Sequence, residues 1–545
     1  MQHDSTLCTS YKLKVVGCKL QVAKTDRVNP FLPLRGALRG DIFASALKTL
    51  TDHARHLLNF PNPVSYALAI RLRWIWVAGQ PTKCKRFLIT HIFRLLIFKP
   101  LPRSLNSPDI ERFLSSTTLI TTDPSTMGSN PGMTPDQIAL IKATVPVLVE
   151  HGNTITTVFY RNMLEAHPEL NTVFNTANQV NGHQPRALAG ALYAYASHID
   201  DLSALASAVE LICNKHASLY IKPDDYKIVG KYLLEAMGEV LGAALTPEIH
   251  DAWATAYWQL ADIMIGREKQ LYEHAEGWTD WREFKVANKV KESEEITSFY
   301  LAPVDEKPLP AFQPGQYISI QTYVPALKYP QARQYSLSDQ PKPDYYRISV
   351  KRELGLNPAA PGAAAHPGYI SNVLHDTFKI GDKLKVSHPY GDFFLAPADS
   401  ETGNPIVLIS AGVGLTPLTS MLNTLISKSP ATRKVHFIHG ARSSGARAFK
   451  KHISELPNQF PSIQTTFFTS HLSEGEAEGV DYDHVGRVDL TKLKDQDLFL
   501  DDAKTDYYIC GPGKFMTDME SALEAKGVSA DRVKMELFGT GGIPH

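Results

Sequence analysis

Cysteine is scarce in this sequence, which has five among its 545 residues. The five (Cys8, Cys18, Cys84, Cys213 and Cys510) form neither a disulfide framework nor the ligand spacing of a zinc site. Their odd number and wide separation argue against a small secreted domain held together by disulfides. They indicate a protein of a reducing compartment.

Long apolar runs are also absent. The most apolar early stretches, residues 66–79 and 87–98, are interrupted by arginine and histidine and fall short of the ~20 apolar residues of a membrane span. Asp4 and the lysines of residues 12–24 leave no early apolar segment of a signal peptide. The sequence therefore predicts no stable membrane insertion.

The net charge is zero, but the two signs are unevenly distributed. Residues 1–126 hold 18 Lys and Arg against 7 Asp and Glu, so the rest of the chain carries the balancing acidic excess. We interpret residues 1–130 as a basic, poorly ordered extension, or as an over-long gene model whose true start is Met127 or Met133. An organelle transit segment is the alternative. A cytoplasmic protein is thus predicted, with a mitochondrial location if the extension is a transit segment.

Helical periodicity begins at Thr134-Pro135-Asp136-Gln137, which has an N-cap, a proline at the first helical position and a capping-box glutamine. Apolar spacing predicts a first helix through Leu148 and a second from about Thr154 to His167. Alternating β patterns are missing, so residues 131–275 are predicted to form an all-α domain. Further helices are predicted near residues 185–195, 202–213, 228–241 and 247–272.

Three polar side chains of this domain could carry chemistry. His216 ends the helix that begins near residue 202, where a lone histidine is more often structural than a ligand. Gln184 stands four residues before Leu188, on the same helical face. Tyr160 lies among apolar neighbours, as an ordinary core tyrosine would. The residues alone leave both interpretations open.

Seven residues resemble, in their order and spacing, those of a globin of the flavohaemoglobin type: Tyr160, Phe174, Gln184, Leu188, His216, Tyr226 and Glu268. The match is close around Tyr160, at residues 167–170, 193–197 and 221–223, and at Lys215-His216. The resemblance implies that His216 is the proximal ligand of a haem b iron and that Glu268 and Tyr226 hold its second ring nitrogen. It also implies distal roles: Tyr160 and Gln184 donate hydrogen bonds to bound O₂, Leu188 restricts the pocket, and Phe174 packs on the haem.

After Trp278 the pattern changes to short alternating strands, near residues 284–286, 297–301, 317–320 and 346–350. They predict a small antiparallel barrel over residues 278–400. Arg333-Gln334-Tyr335-Ser336 ends a turn-rich stretch, residues 325–332, and offers a cation, an aromatic face and a hydroxyl that suit a flavin. With residues 314–317 before it and 350–353 after it, this motif is similar to the flavin domain of the ferredoxin-reductase family.

That resemblance implies an FAD site. Arg333 would contact the pyrophosphate, Tyr335 would pack on the isoalloxazine, and Ser336 would hydrogen-bond near its N5. Further implied contacts are Tyr317 and Gln334 as the frame, Gly368 and Ser371 as a second phosphate clamp at a helix start, and Phe538 beside the flavin ring. Residues 355–367 are rich in Ala, Pro and Gly and predict a flexible loop.

A continuous apolar strand, residues 405–410, leads into a glycine-containing turn. Gly412 and Gly414 let the backbone approach a pyrophosphate, while Thr416 is predicted to cap the next helix with Pro417 in its first turn. The turn departs from the ordinary dinucleotide fingerprint, because Pro417 replaces the third glycine. The turn that we assign to NAD(P) binding comprises Gly412, Val413, Gly414, Leu415, Thr416 and Pro417.

A second strand-to-helix turn, Cys510-Gly511-Pro512, resembles the nicotinamide-side motif of the same reductases. Cys510 would stand beside the nicotinamide, or it is a buried core thiol. Residues 403–545 are therefore predicted to form an α/β domain with a parallel sheet that binds NAD(P). Arg442 alone does not decide between NADPH and NADH.

The resemblance extends over residues 131–545 and implies a nitric oxide dioxygenase. NAD(P)H would reduce FAD, FAD would reduce haem, and ferrous haem with O₂ would convert NO to nitrate. We expect a monomer whose partners are O₂ and NO, with no nucleic acid. Two alternatives stay open: an O₂ or NO sensor or carrier whose reductase keeps the iron ferrous, and a reductase of flavins, quinones or ferric chelates with haem as a relay.

Overall fold

The computed structural model describes residues 11–16, 19–24, 132–355, 368–396, 403–428 and 433–539. In the basic extension it shows one antiparallel pair, β1 (Tyr11–Val16) and β2 (Lys19–Lys24), which the sequence analysis did not predict. The remainder of the extension, and residues 356–367 of the predicted flexible loop, lie outside the described residues. None of the helices in the described ranges is both long and apolar enough to cross a bilayer.

The helical part begins as predicted. Thr134 Oγ1 accepts from the Gln137 N–H at 3.2 Å, and Gln137 Oε1 accepts from the Thr134 N–H at 3.0 Å. Such a capping box satisfies two backbone donors that a bare helix end leaves unpaired. The helices are α1 (Pro135–Ala143), α2 (Val145–Ala166), α3 (Thr176–Val180), α4 (His183–Ser197), α5 (Ala206–Ala217), α6 (Pro223–Leu241) and α7 (Pro247–His274), with 3₁₀ turns at Pro168–Thr172, Leu202–Leu205 and Gly242–Ala244.

The first helix break is not where the sequence predicted it. The break falls at Thr144, and α2 then runs without interruption through Thr154. Pro146 explains the position, because proline cannot donate the backbone hydrogen bond of a helix interior but is tolerated in a first turn. The predicted end at His167 is confirmed, since His167 is the C-cap of α2.

A six-stranded antiparallel sheet follows, in the order β6-β5-β8-β3-β4-β7. A bridge between Leu337 and Ile348 connects the end of β6 to β7, so the two edge strands meet, as in the predicted barrel. Fully buried Phe284, Phe299 and Ile318 lie in its core, each stabilising the fold by roughly 1.5–3 kcal/mol. The elements are β3 (Arg282–Lys291), β4 (Ile296–Pro303), β5 (Tyr317–Val324), β6 (Tyr329–Ser336), β7 (Tyr346–Lys351), α8 (Tyr369–Asp376) and β8 (Lys383–Val386).

The prediction that residues 325–332 form only a turn-rich approach to Arg333 is wrong. Residues from Tyr329 onward are already paired with β5, and Arg333 lies opposite Ile320 inside the strand. Pro330 misled the interpretation, but an edge strand tolerates proline because the missing N–H need not meet a partner. The Arg333–Ser336 motif is therefore held by a sheet.

The C-terminal part is a parallel six-stranded sheet in the order β12-β11-β10-β9-β13-β14. The four residues Ile406 to Ile409 are all fully buried, as expected for a strand that has helices on both faces. The elements are β9 (Ile406–Ala411), α9 (Leu415–Lys428), β10 (Val435–Ala441), α10 (Lys450–Gln459), β11 (Ile463–Thr469), β12 (His484–Val485), β13 (Asp506–Cys510), α11 (Gly513–Ala525) and β14 (Val533–Glu536), with short 3₁₀ turns at Gly412–Gly414, Leu490–Lys492 and Ala530–Arg532.

Thr416 does not cap α9, contrary to the prediction. The 3₁₀ turn at Gly412–Gly414 leads directly into a helix that starts at Leu415. Thr416 is thus inside the first turn, where its hydroxyl donates to the Val413 carbonyl at 3.0 Å. Pro417 does lie in the first turn, as predicted.

Candidate functional site

His216 lies in the last turn of α5, and its Nδ1 faces two buried side chains. Nδ1 is 2.8 Å from Glu268 Oε1 and 3.0 Å from the Tyr226 hydroxyl, which itself donates to the same carboxylate oxygen at 2.6 Å. Glu268 is 2% exposed. Burial and the charge of Glu268 raise the pKa of Tyr226, so the phenol keeps its proton and remains a donor. These contacts orient the imidazole and make it more electron-donating.

The Nε2 atom of His216 has no hydrogen-bond partner among the residues that the structure describes. The described ranges also hold no cluster of three or more His, Cys, Asp or Glu residues that could bind a bare metal ion. One imidazole with a carboxylate on Nδ1 and a free Nε2 is the donor set of a haem iron. The residues present therefore fit a haem.

Tyr160 and Gln184 come together on α2 and α4. Gln184 Nε2 donates to the Tyr160 hydroxyl at 3.3 Å, and burial raises the pKa of Tyr160 to about 12. The phenol is thus protonated at neutral pH. Phe174 packs edge-on against the Tyr160 ring with centroids 5.5 Å apart, and partly buried Leu188 packs on the same core.

Arg333 has a partly buried guanidinium that meets only neutral acceptors. Nη1 donates to Gln331 Oε1 at 3.1 Å and to the Ala332 carbonyl at 2.6 Å, and Nη2 donates to Asn175 Oδ1 at 2.5 Å. Burial lowers the pKa of Arg333 to about 10. A guanidinium has five N–H donors, so Nε–H and one Nη2–H have no partner among the described residues. A cation with two free donors and no ion-paired carboxylate among the described residues fits a phosphate.

The other predicted flavin residues surround this strand. Tyr335 packs against the barrel core, and Ser336 is 8% exposed with a hydroxyl that meets no partner in the described ranges. Gly368 precedes α8, a helix that has no side-chain cap, and Ser371 Oγ donates to the Gly368 carbonyl at 3.3 Å. Such a helix start suits a second phosphate. Together these groups fit the ring and the pyrophosphate of a flavin dinucleotide.

The remaining predicted flavin residues differ in exposure. Tyr317 is 4% exposed and packs with Ala217 and Tyr390, so it reaches the helix that carries His216. Phe538 is 42% exposed. It lies in the C-terminal segment, where Lys215 Nζ donates to the Gly539 carbonyl at 2.8 Å.

The two predicted nucleotide turns meet at the carboxyl ends of β9 and β13, which are paired at Ser410 and Cys510. The sheet order changes direction here, because β10 lies on one side of β9 and β13 on the other. Ligands of open α/β sheets bind at such a switch point. A Cβ at Gly414 would lie 2.2 Å from the Cys510 carbonyl oxygen, so only glycine lets the two turns come this close. One turn carries Val413 and Leu415, and the other carries Gly511 and Pro512.

Cys510 is fully buried in the core, and burial raises the pKa of its thiol. This burial agrees with the alternative prediction, that Cys510 is a core thiol. Arg442, at the end of β10, lies 3.3 Å from Glu295 Oε2. Because a carboxylate already contacts this guanidinium, Arg442 is weak evidence for binding of the 2′-phosphate of NADPH.

Several polar residues that join the helical part to the barrel were missed by the sequence analysis. Ser319 Oγ donates to Ser218 Oγ at 2.9 Å, and Gln334 Nε2 reaches both hydroxyls. Asn214 Oδ1 accepts from the Gly391 N–H at 2.9 Å. The segment around His216 is therefore bonded directly to the strand that carries the flavin motif.

Glu536 was also missed, although it lies beside a predicted motif. It is 7% exposed. Burial, reinforced by the charge of Asp392 and opposed by that of Lys215, raises its pKa to about 8. A carboxyl group that titrates near neutral pH at the junction of the domains is a candidate functional group.

Comparisons with known proteins agree with this architecture. The globin family model matches residues 157–264, and the oxidoreductase NAD-binding domain model matches residues 408–521. A flavohemoprotein of Bordetella pertussis is 49% identical over 416 residues, which cover 75% of this chain and 100% of the relative. A flavohemoprotein of Rhizobium meliloti is 47% identical over 404 residues, covering 73% and 96%.

A solved structure also matches this fold. The flavohemoglobin from Malassezia yamatoensis, crystallised with bound FAD and heme, superposes with a TM-score of 0.63 at 30% identity and covers 75% of this chain and 100% of its own. A globin followed by a flavin barrel and a nicotinamide domain defines an NAD(P)H-dependent oxidoreductase. The chain belongs to the flavohemoprotein family.

Proposed function

We propose that this protein is a nitric oxide dioxygenase, which uses NAD(P)H and O₂ to convert NO to nitrate. The observation that carries the proposal is the Tyr160 hydroxyl. It accepts a hydrogen bond from Gln184, keeps its proton because burial raises its pKa to about 12, and meets no acceptor of its own within the described residues. A buried O–H that is free to donate is suited to hold an O₂ molecule.

The cofactors are haem b, FAD and NAD(P)H. When bound, NAD(P)H supplies a hydride, FAD passes its two electrons on singly, and haem binds and reduces O₂. His216 Nε2 would hold the iron. Glu268 and Tyr226 contact Nδ1 of the same ring, and these contacts orient the imidazole and make it more electron-donating. Arg333 and the start of α8 would hold the phosphates of FAD.

The chain's other predicted residues position these groups. Phe174 and Leu188 would restrict the haem pocket and keep water from the distal side. Tyr335 would cover the flavin ring, Ser336 would donate to its polar edge, and Gln334 and Tyr317 would frame it. The turns at Gly412–Gly414 and Cys510-Gly511-Pro512 would receive the nicotinamide nucleotide at the switch point of the sheet.

We further propose the domain limits 131–275 for the globin, 278–400 for the FAD barrel and 403–545 for the NAD(P) domain, after a basic extension over residues 1–130. The changes from helix to antiparallel sheet after His274 and to parallel sheet before Ile406 support these limits. The substrates would be small molecules, NO and O₂.

NADH- or NADPH-driven loss of NO under air, with nitrate as product, tests the function. Tyr160→Phe should slow nitrate formation, with haem and FAD contents unchanged, because it removes the free O–H and the acceptor of the Gln184 hydrogen bond but keeps the packed ring. A variant that forms nitrate as fast as the wild type would remove Tyr160 from the reaction. Gas binding without turnover would instead indicate a sensor or carrier, and NADH oxidation that ignores NO would indicate a general reductase.

A further inference from the structure

We propose that Gln331 and Asn175 are positioning residues that couple occupancy of the flavin phosphate site to the distal wall of the haem pocket. The inference rests on the proposed haem and flavin sites but adds a link between them. It begins from one side chain, Gln331, which is fully buried on β6, two residues before Arg333.

Every hydrogen-bonding group of the Gln331 amide is used, and three of its four bonds go to the helical domain. Nε2 donates to the carbonyls of Asn171 and Phe174, at 2.5 and 3.0 Å. Oε1 accepts from the Thr176 N–H at 3.2 Å and from Arg333 Nη1 at 3.1 Å. A barrel side chain therefore holds the backbone of residues 171–176, which we call the distal loop.

Arg333 holds the same loop a second time. Its Nη2 donates to Asn175 Oδ1, an atom that also caps α3 by accepting from the Asn178 N–H at 3.3 Å. The hydroxyls of Tyr329 and Thr176 add a further bond of 2.8 Å. Tyr329, Gln331 and Arg333 alternate along β6, so one face of the flavin strand lies against the distal loop.

The distal loop carries Phe174, whose ring packs on Tyr160 with centroids 5.5 Å apart. A continuous path of contacts thus runs from the Arg333 guanidinium through Gln331 and Phe174 to the hydroxyl-bearing ring of Tyr160. This path does not include His216 or the two side chains bonded to its Nδ1.

Arg333 can hold a phosphate without releasing the loop. Three of its five N–H groups serve Gln331, Ala332 and Asn175, and Nε–H with one Nη2–H is left over. A phosphate on these two donors would pin the guanidinium plane, and the pinned guanidinium would fix Gln331 and Asn175. Without the phosphate, the partly buried guanidinium has only neutral acceptors among the described residues and is held less firmly. Flavin binding is thus expected to narrow the range of positions open to Phe174 and Tyr160.

The infrared C–O stretch of the CO complex of the reduced full-length protein tests the link, because this band responds to the distal hydrogen-bond donor and not to turnover. Wild-type protein with FAD should give one narrow band, and removal of FAD should broaden or shift it. Gln331→Leu with FAD bound should show the FAD-free band, and removing its FAD should change nothing further.

Asn175→Ala is the second variant, in case Gln331→Leu fails to retain haem. It deletes the Nη2 link together with the cap of α3 but leaves all four bonds of Gln331 in place, and we expect it to reduce the FAD-dependent shift without abolishing it. Gln321→Leu is the matched control, since the Gln321 side chain makes no hydrogen bond among the described residues. Ser319→Ala is a control on the His216 side. Both controls should keep the wild-type dependence on FAD.

An identical band in wild-type protein with and without FAD would overturn the inference. So would a full FAD-dependent shift in both Gln331→Leu and Asn175→Ala. Either result could occur while NADH-driven nitrate formation persists, in which case only the coupling fails. Absence of a haem CO complex in the wild type would instead contradict the proposed function.

Discussion

Replacing Glu268 with glutamine tests the proximal side of the haem site. The change keeps the size of the side chain but removes the negative charge that lies 2.8 Å from His216 Nδ1. Glu268 is 2% exposed, and no lysine or arginine forms an ion pair with it in the described ranges. Its charge therefore acts mainly on the imidazole, and through the imidazole it would favour the ferric form of a bound haem iron.

The magnitude follows from the hydrogen bonds. A hydrogen bond to a charged group contributes about 1.5–3 kcal/mol, and we expect only part of it, on the order of 1 kcal/mol, to differ between ferric and ferrous haem. At ~2.3 kcal/mol per 100 mV, Glu268→Gln should raise the haem midpoint potential by roughly 40 mV. The same variant should lose about 1–3 kcal/mol of stability, since the Tyr226 hydroxyl loses its charged acceptor.

Spectroelectrochemical titration of the haem bands measures this potential. Tyr226→Phe is the matched control, because it deletes the neighbouring hydroxyl and leaves the carboxylate in place, so its shift should be smaller. An unchanged or lowered potential in Glu268→Gln, with haem bound at the wild-type level, would refute the role of Glu268 as an electron donor to the imidazole.

Three further changes address the other groups. His216→Ala should abolish haem binding while the flavin absorbance survives, because the iron loses its only protein ligand; a normal haem spectrum would exclude the proximal assignment. Ser336→Ala should slow reduction of the flavin by NADH and leave CO binding to chemically reduced haem intact, which stopped-flow spectroscopy resolves; equal flavin reduction would remove Ser336 from the step. Glu536→Gln should flatten the pH dependence of stability, measured by denaturant unfolding. The folded-state pKa of about 8 lies above the usual value of 4.5, so the folded state binds more protons and the wild type loses stability as pH rises from about 5 to 8; a variant with the wild-type slope would show that Glu536 is not the group that titrates.

Local sequence patterns predicted those features of the fold that interactions between neighbouring residues determine. The Thr134–Gln137 capping box, the stop at His167 and the buried strand before Gly412 each depend on a few neighbouring residues. Where a tertiary partner decides the outcome, local patterns misled. The pairing of Tyr329–Ser336 with β5 overrides the turn signals around Pro330.

The polar contacts between domains could not be predicted from spacing. Gln331 Nε2 and the Phe174 carbonyl are 157 residues apart in the chain, and Gln334 and Ser218 are 116 apart. One signal was available: Tyr329, Gln331 and Arg333 alternate along a strand, and a polar stripe on one face of a barrel indicates a hydrogen-bonded neighbour. Glu536 gave no such signal, because its raised pKa depends on burial and on the charge of Asp392, which only the folded chain brings near it.

The most direct test of the proposed function is the product balance of NO consumption. Purified protein loaded with haem and FAD is mixed with NADH and NO in air-saturated buffer, and NO, NADH and nitrate are followed together. Electron balance predicts one nitrate for each NO consumed and one NADH for every two NO, with consumption ceasing when either NADH or O₂ is withheld. Consumption of NADH that is independent of NO, or loss of NO without nitrate, would contradict the assignment.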